Sequence, residues 1–491
     1  MDLILALDAG TTGVRAVAFG DDLEVLAESY RELTQFYPSP GEVEHDPVEI
    51  VALAVATLGE VATRVRADGH RVLALGITNQ RETTVGFDRE NGELFGRAIV
   101  WQDRRTATMC RDLEVAGHGP AVRDTTGLVL DSYFSATKMR WMLDRGAADR
   151  AVTPSFATID TWLLWALSGG VNGGVFSTDA TNASRTSLLD LTTREWSTPM
   201  LDLFGVERRM LAALAPSAGV VGHVHGDVVA ELRGVPIAGV LGDQQSALVG
   251  QACFEPGLVK ATYGTGAFVL ANAGPAVPPV VEGLLTTIAY DLGTFGPVNY
   301  ALEGSAFVAG AAVQWLRDLG LIRASSDLEG LATSVTDGAG AIFVPAFTGL
   351  GSPFWRPDAR GALVGLSRGV SSAHVARAVV EALAFQVRAM TEAFGAGGVE
   401  LMELRADGGA AAMDLLMTLQ ATNSRVVVQR SSSLEATARG AASVAGLGVG
   451  HWPSVEDLAS RWRAAARFLP GDATEVDAGY AAWLRAVERT Q

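Results

Sequence analysis

A carboxylate at the end of an apolar run, followed by a glycine- and threonine-rich turn and an arginine, is a combination suited to phosphate chemistry. The chain carries it at Asp8-Ala9-Gly10-Thr11-Thr12-Gly13, entered from the apolar run Leu3 to Leu7 and followed by Arg15. The turn's backbone N–H groups and threonine hydroxyls can hold phosphate oxygens, Asp8 can orient hydrated Mg²⁺, and Arg15 adds a charge-assisted donor. Taken alone, the segment also reads as a glycine-rich hairpin with a capping aspartate. A second turn of the same grammar, Tyr263-Gly264-Thr265-Gly266, is entered from Leu258 to Thr262 and left through Phe268-Val269-Leu270. Phosphates gripped from two sides would account for both turns. Asp407-Gly408-Gly409 follows a predicted strand and opens a predicted helix, which either brings backbone N–H groups close to a ligand, as in a nucleotide pocket, or simply tightens a strand-to-helix turn.

Two polar clusters sit at the ends of predicted strands. Asn79-Gln80-Arg81-Glu82 follows Val72 to Thr78, and Asp243-Gln244-Gln245 follows the apolar run Val235 to Leu241. Strand carboxyl ends are where open α/β sheets place ligands. Arg, Glu, Asp and Gln together offer donors and acceptors, which suits a small neutral polyol better than an anion; a solvated loop pair is the plain alternative for Arg81-Glu82. Gly365-Leu366-Ser367-Arg368-Gly369 has the spacing of a nucleophile elbow, yet Val370-Ser371-Ser372 intervene before the helix and no partner acid and histidine are evident. His223-x-His225 with Asp227 lacks a second ligand pair and reads as an exposed strand or loop.

The elements that must position these groups follow from periodicity and punctuation. His45-Asp46-Pro47 supplies an N-cap and a first-turn proline for a helix through Ala67. Strands are predicted at Ala98 to Trp101, Phe156 to Ile159, Ile342 to Pro345 and Met402 to Ala406, with a hairpin turn over Asp88 to Leu94. Helices are predicted at Ser135 to Leu143, Thr161 to Leu167, Ala309 to Leu316, Ser372 to Phe394 and Ala410 to Gln420; the stripe Val375, Val379, Leu383 and Val387 is core packing. Gly10 and Gly264 open equivalent hairpins about half a chain apart, which suggests a duplicated α/β architecture with a cleft between two similar domains. The division is expected between Asp243 and Gly257, giving domains of 1–247 and 248–491.

Composition narrows the chemistry. With 491 residues, 38 Lys+Arg and 55 Asp+Glu, the net charge is −17, which argues against a general nucleic-acid binder. Only Lys138 and Lys260 are lysines, and neither follows a glycine-rich loop, so a Walker A site is excluded; no GxGxxG stands between a strand and a helix. The two cysteines, Cys110 and Cys253, give no disulfide framework and fit a reducing compartment. The start MDLILALDAG lacks the basic segment and cleavage site of a signal peptide, and no apolar run approaches membrane-spanning length. The expectation is a soluble cytoplasmic protein without membrane insertion.

Several long strings carry a resemblance across essentially the whole chain: ITNQRETTV (77–85), AIVWQDRRTA (98–107), YFSATKMRWMLD (133–144), STDATNASRT (177–186), GDQQSALVGQ (242–251), YGTGAF (263–268), YALEG (300–304), VPAFTGLGSPFW (344–355) and the GLSRG segment. In these the sequence resembles the FGGY carbohydrate kinases, and among them the members that phosphorylate glycerol. The resemblance implies an α/β fold of two similar actin-like, ribonuclease-H-like domains around a catalytic cleft. It implies transfer of a phosphoryl group from Mg²⁺-bound ATP to glycerol, giving sn-glycerol 3-phosphate; another small polyol or a ketose, such as erythritol or xylulose, is the alternative substrate, and a non-catalytic nucleotide-binding protein the alternative class.

By the same resemblance Arg81, Glu82, Tyr133, Asp243 and Gln244 match contacts to glycerol hydroxyls, and Trp101 and Phe268 match the groups that pack its carbon chain. Asp243 matches the general base. Thr11, Thr12, Gly13, Arg15 and Thr265 match phosphate-loop positions, Gly310, Gln314, Gly409 and Met413 the nucleoside pocket, and Asp8 the Mg²⁺-orienting carboxylate. A homodimer or homotetramer is implied as well. Ala9, Gly13 and Met413 depart from the family's usual Gln, Ser and Asn. The family's basic, glycine-rich loop for sugar-bisphosphate control is replaced by HGDVVAELRGV over 225–235, so that control is expected to be absent.

Overall fold

The computed structural model describes residues 1–149, 151–433 and 435–490. Two mixed sheets dominate it. The first contains β1 (Asp2–Ala9), β2 (Gly13–Phe19), β3 (Val25–Glu32), β4 (Arg71–Asn79), β5 (Ala218–His223) and β6 (Pro236–Gly242), in the order β5-β6-β4-β1-β2-β3. β1 to β3 form an antiparallel meander, while β4 and β6 run parallel to β1. The second contains β7 (Leu258–Tyr263), β8 (Ala267–Gly274), β9 (Leu285–Tyr290), β10 (Asn299–Ala306), β11 (Glu403–Asp407), β12 (Val427–Ser431) and β13 (Ala464–Phe468), in the order β9-β10-β8-β7-β11-β12-β13. There too an antiparallel set, β7-β8-β10, is extended by two parallel strands, β11 and β12, and closed by an antiparallel edge. The chain therefore builds one topology twice, with β9 added to the second copy.

Local chemistry explains the elements that flank the site. In α1 (Pro47–Ala67) the Asp46 carboxylate accepts from the Val48 N–H at 2.8 Å, and Pro47 occupies the first turn; an alanine at 46 would cost about 1 kcal/mol. Ile50, Ala54, Leu58, Val61 and Val65 recur at helical spacing and are buried in the core that includes Leu3, Leu5 and Leu7 of β1. α2 (Ser135–Asp144) begins directly after Phe134. α3 (Asp243–Gly250) begins on the residue after β6. α4 (Gly310–Asp318), α5 (Ser372–Ala396), α6 (Asp414–Ser424) and α7 (Ala436–Gly448) belong to the second half of the chain. Val379, Leu383 and Val387 of α5 are buried in the largest hydrophobic core, with Val375 packed at its edge.

The helix expected over Ala410 to Gln420 is interrupted. Gly409–Ala412 forms a 3₁₀ turn, Met413 is extended (φ −75°, ψ 116°), and α6 starts at Asp414. The Met413 N–H closes the short turn on the Ala410 carbonyl at 3.2 Å, and its side chain is drawn into the core, so the backbone cannot run on as one helix. The strand expected over Ala98 to Trp101 ends at Ile99, where the chain turns and brings the Trp101 indole N–H onto Thr11.

The two halves share a core. Ala438, Ala441, Ala442 and Ala445 of α7 lie among Ile4, Ala6, Val17, Phe19 and Ala74 of the first sheet. α7 also crosses α3 at a separation only glycine allows: a Cβ at Gly440 would overlap the Ser246 carbonyl, and one at Gly250 the Ala436 carbonyl. This seam packs α3, which opens with Asp243, against α7.

Candidate active site

The first sheet delivers three chemical groups side by side. β1 pairs in parallel with β4, Asp8 opposite Thr78, and β4 pairs with β6, Asn79 opposite Gly242. At or just beyond these strand ends lie Asp8 with the turn that follows it, Arg81-Glu82, and Asp243. In the second sheet Thr262 lies opposite Asp407 on adjacent parallel strands, so the turns at 263–266 and 408–409 leave the sheet together. Strand polarity alone therefore gathers the motifs.

Side-chain contacts then connect most of the expected polyol residues in one unbroken chain. The Trp101 indole N–H donates to Thr11 Oγ1 at 2.9 Å, and its ring meets that of Tyr133 edge-on with centroids 5.5 Å apart. Arg81 Nη2 donates to the Tyr133 hydroxyl at 3.4 Å, and Arg81 Nε lies 3.2 Å from Asp243 Oδ1. The Gln244 N–H donates to Asp243 Oδ1 at 2.7 Å. Lys260 Nζ donates to Gln244 Oε1 and, at 3.4 Å, to the carbonyl of Phe268. Glu82 joins from the other side: Arg185 Nε donates to its Oε1 at 2.7 Å.

Electrostatics fit a site waiting for hydroxyl groups. Burial pushes the Asp243 carboxyl above the usual aspartate range, while Arg81 and Lys260 pull it back. Asp243 is also the first residue of α3, where the helix's partial positive charge favours an anion. A carboxylate of raised basicity that is partly exposed suits a general base for an alcohol. Glu82 is raised mainly by burial, with Arg81 and Arg185 opposing, and it sits in the left-handed region at φ 61°, a conformation held by the packing around it. Desolvation would raise Glu303 too, but Arg185 and Arg81 hold it down at about 2.

Sequence reasoning missed the groups beneath this surface. Glu303 is fully buried on β10 and accepts from Arg81 Nη1 at 2.6 Å, Arg81 Nη2 at 2.9 Å and Arg185 Nη2 at 3.1 Å. Lys138 is fully buried and donates to the carbonyls of Ser132, Tyr133 and Phe134 at 2.6, 2.7 and 3.1 Å. Glu303, Arg185 and Lys138 stand within the strings that carried the resemblance, but nothing in their spacing tells that three elements far apart in sequence converge. The scarcity of lysine was the signal available.

On the phosphate side, Thr11 and Arg15 are partly exposed and Thr12 and Thr265 exposed. Arg15 is paired with Glu435, lies 3.8 Å from Glu28 and stacks over Tyr30 at 5.3 Å, so a phosphate must share or replace those partners. Gly13 has a packing reason: a Cβ there would lie 2.5 Å from the Arg31 carbonyl and overlap the Tyr30 hydroxyl. The Gly264 and Thr265 carbonyls accept from the N–H groups of Gly310 and Ala309 at 2.9 and 2.8 Å, which ties α4 to the second turn. Gly310 therefore adjoins Thr265, and Gly409 follows the strand beside it. Gln314 is exposed on α4, whereas Met413 is 8% exposed and packed in the core; no contact joins these two to the chain of polyol residues.

The surroundings of Asp8 fit a divalent cation. Burial, then Asp243 and Glu435, push Asp8 up to about 7 against the pull of Arg15. A buried carboxylate raised by neighbouring negative charge is a group that a divalent cation would stabilise. Among the described residues no group of three His, Cys, Asp or Glu side chains could hold a metal, so most of its oxygens would come from phosphates and water.

The other leads fall elsewhere. Ser367 lies in an exposed turn after the short strand Ala362–Val364. His223 ends β5, and His225 and Asp227 line a separate cavity of about 530 Å³ with Arg233. No helix among the described residues is long and apolar enough to cross a membrane.

Comparison with known proteins agrees with this arrangement. The N-terminal domain of the FGGY family of carbohydrate kinases matches residues 3–250, and the C-terminal domain matches 259–449. The chain is 49% identical to a glycerol kinase of Aromatoleum aromaticum over 100% of this chain and 99% of that one. It is 47% identical to a glycerol kinase of Shewanella pealeana, covering 99% of each. Among solved structures it superposes on Plasmodium falciparum glycerol kinase with ADP at TM-score 0.93, with 33% identity, over 100% of this chain and 98% of that one. A xylulose kinase of Lactobacillus acidophilus, 19% identical with TM-score 0.91 over 100% and 98%, shares the fold. Twice-built sheets, two glycine-threonine turns and a match in both domains have one common reading: the chain belongs to the FGGY family of carbohydrate kinases.

Proposed function

We propose that this chain phosphorylates glycerol with Mg²⁺-bound ATP, giving sn-glycerol 3-phosphate. The observation that carries the reading is the unbroken contact chain from Thr11 through Trp101, Tyr133, Arg81, Asp243 and Gln244 to Lys260 and Phe268. It lines up donors, acceptors and two aromatic faces beside a base. Full-length relatives named glycerol kinase support it.

In this reading Arg81, Glu82, Tyr133, Asp243 and Gln244 bind the hydroxyls, and Trp101 and Phe268 pack against the carbon chain. Asp243 takes the proton of the terminal hydroxyl as that oxygen attacks the γ-phosphorus in line and the bond to the β-phosphate oxygen breaks, leaving ADP. Thr11, Thr12, Gly13, Arg15 and Thr265 hold phosphate oxygens, and Gly310, Gln314, Gly409 and Met413 border the nucleoside. Asp8 would orient Mg²⁺, which when bound would supply positive charge to the phosphates. Because Asp243 would activate water as readily, the two halves close over the cleft before transfer.

We place the domain division at 247/248, a reading supported by family matches that end at 250 and resume at 259. Two buried, unpaired cysteines, Cys110 and Cys253, support work in the reducing cytoplasm; the family resemblance alone supports a homodimer or homotetramer. The test is ADP release with MgATP and glycerol, erythritol, D-xylulose or no acceptor, with ³¹P NMR of the product. Release that depends on glycerol and yields glycerol 3-phosphate is expected; release with another acceptor alone overturns the substrate, and none with any acceptor overturns the activity.

A further inference from the structure

The chain has 38 basic residues, and all but Lys138 and Lys260 are arginine. Neither lysine is on the surface: both are fully buried, and both lie directly under residues of the polyol pocket. Burying an ammonium is costly, and the cost shows in both groups, each pushed down to about 8 by desolvation. Where a chain otherwise takes arginine, a buried lysine marks a place that needs a compact charge with donors in several directions, which a planar guanidinium cannot supply.

Lys260 Nζ reaches two groups of the pocket at once, the side-chain oxygen of Gln244 and the main-chain oxygen of Phe268. An ammonium has donors only, so it can hold nothing of Gln244 except Oε1. A primary amide pinned by its oxygen must present Nε2 on the other side. Asp243 and Asp407 balance the charge of Lys260, with Arg81 opposing and Glu303 assisting.

We propose that Lys260 is a positioning residue for substrate selection, fixing Gln244 as a donor-only contact so that the pocket demands a hydroxyl oxygen at that point. The inference rests on the reading of the chain as a glycerol kinase and deepens it. Donor and acceptor are thereby assigned around the substrate: Gln244 and Arg81 donate, Glu82 and Asp243 accept. With Lys260 gone, the amide can rotate and present either end, so an acceptor is no longer required there. Loss of the ammonium should therefore weaken selection among polyols more than it weakens nucleotide binding, a split that general loosening of the fold does not produce.

The experiment compares wild type with Lys260→Met and Lys260→Arg, measuring KM for glycerol, KM for ATP, and kcat/KM for glycerol against 1,2-propanediol and 1,3-propanediol. Lys260→Met is expected to raise the glycerol KM roughly tenfold or more, leave the ATP KM within about twofold, and reduce preference for glycerol over at least one diol roughly tenfold. Lys260→Arg should not restore it. Gln244→Glu keeps an oxygen for Lys260 but puts a second oxygen where the amide N–H₂ stood, and needs no buried cation to be removed; it should raise the glycerol KM at least as much. A folded Lys260→Met with wild-type glycerol KM and preference overturns the inference, as does a Gln244→Glu enzyme with wild-type glycerol KM should Lys260→Met not fold. A wild type that leaves glycerol unphosphorylated overturns the underlying reading instead.

Discussion

Glu303 holds Arg81 from the opposite half of the molecule, with two hydrogen bonds of 2.6 and 2.9 Å, although 222 residues separate them. Arg81 follows β4 of the first sheet, and Glu303 stands on β10 of the second. Both are buried, and a third member, Arg185, reaches both Glu303 and Glu82. Arg81, a proposed substrate contact on one half, is thus held by a carboxylate from the other.

This pair should govern acid stability. The Glu303 carboxyl is held at about 2 against an ordinary 4.5, so the unfolded chain takes up its proton first as pH falls. Its contribution is complete above pH about 4.5 and is lost as pH falls toward about 2. Glu303→Gln should destabilise the protein by about 3–5 kcal/mol at neutral pH, because two buried guanidinium groups lose the counter-ion they share and keep only Asp243 and Glu82, and should flatten the pH dependence in that window. Urea unfolding of both proteins between pH 3 and 7 measures it; equal losses over that range would contradict the role of Glu303.

Asp243→Asn retains shape and most hydrogen bonds while removing the base. Turnover should fall about 10²- to 10⁴-fold, with glycerol affinity by calorimetry changed only severalfold. A variant turning over at half the wild-type rate would exclude Asp243 as the base.

Restoring serine at position 13 should harm this protein. A Cβ there would lie 2.5 Å from the Arg31 carbonyl and against the Tyr30 hydroxyl, so Gly13→Ser should cost about 1–3 kcal/mol and raise the ATP KM. Adding Tyr30→Ala should recover part of the loss, since the backbone clash remains. An unchanged or improved ATP KM in the single variant would refute the packing argument.

Neither lysine should react with an amine-specific reagent in the folded protein, and both should react after denaturation, because their ammonium groups are buried and hydrogen-bonded. Mass spectrometry of digests after labelling with and without guanidinium reads this directly. Fast labelling of Lys138 or Lys260 under native conditions would show that the floor of the pocket opens.

What the sequence by itself determined is local and repetitive. The paired glycine-threonine turns, the capped helix from Pro47, the apolar strands and the family strings rest on short-range geometry, and a turn or an N-cap is encoded in a few adjacent residues. Duplication was legible for the same reason, since equivalent hairpins look alike wherever they occur. The departure at Gly13 was visible, but not its cause, which is Tyr30 on the neighbouring strand.

Only the tertiary structure decided what lies under the pocket. Glu303 on Arg81, Lys260 on Gln244 and Lys138 on the segment bearing Tyr133 are contacts of buried charges, and a buried charge is tolerated only where its partner is already in place. For Glu303 and Lys260 that partner comes from another element, and α7 returns from the far end of the chain to complete the first sheet's core. Residue types at given spacings carry no record of such meetings, because long-range pairing is fixed by the packing of whole sheets and helices.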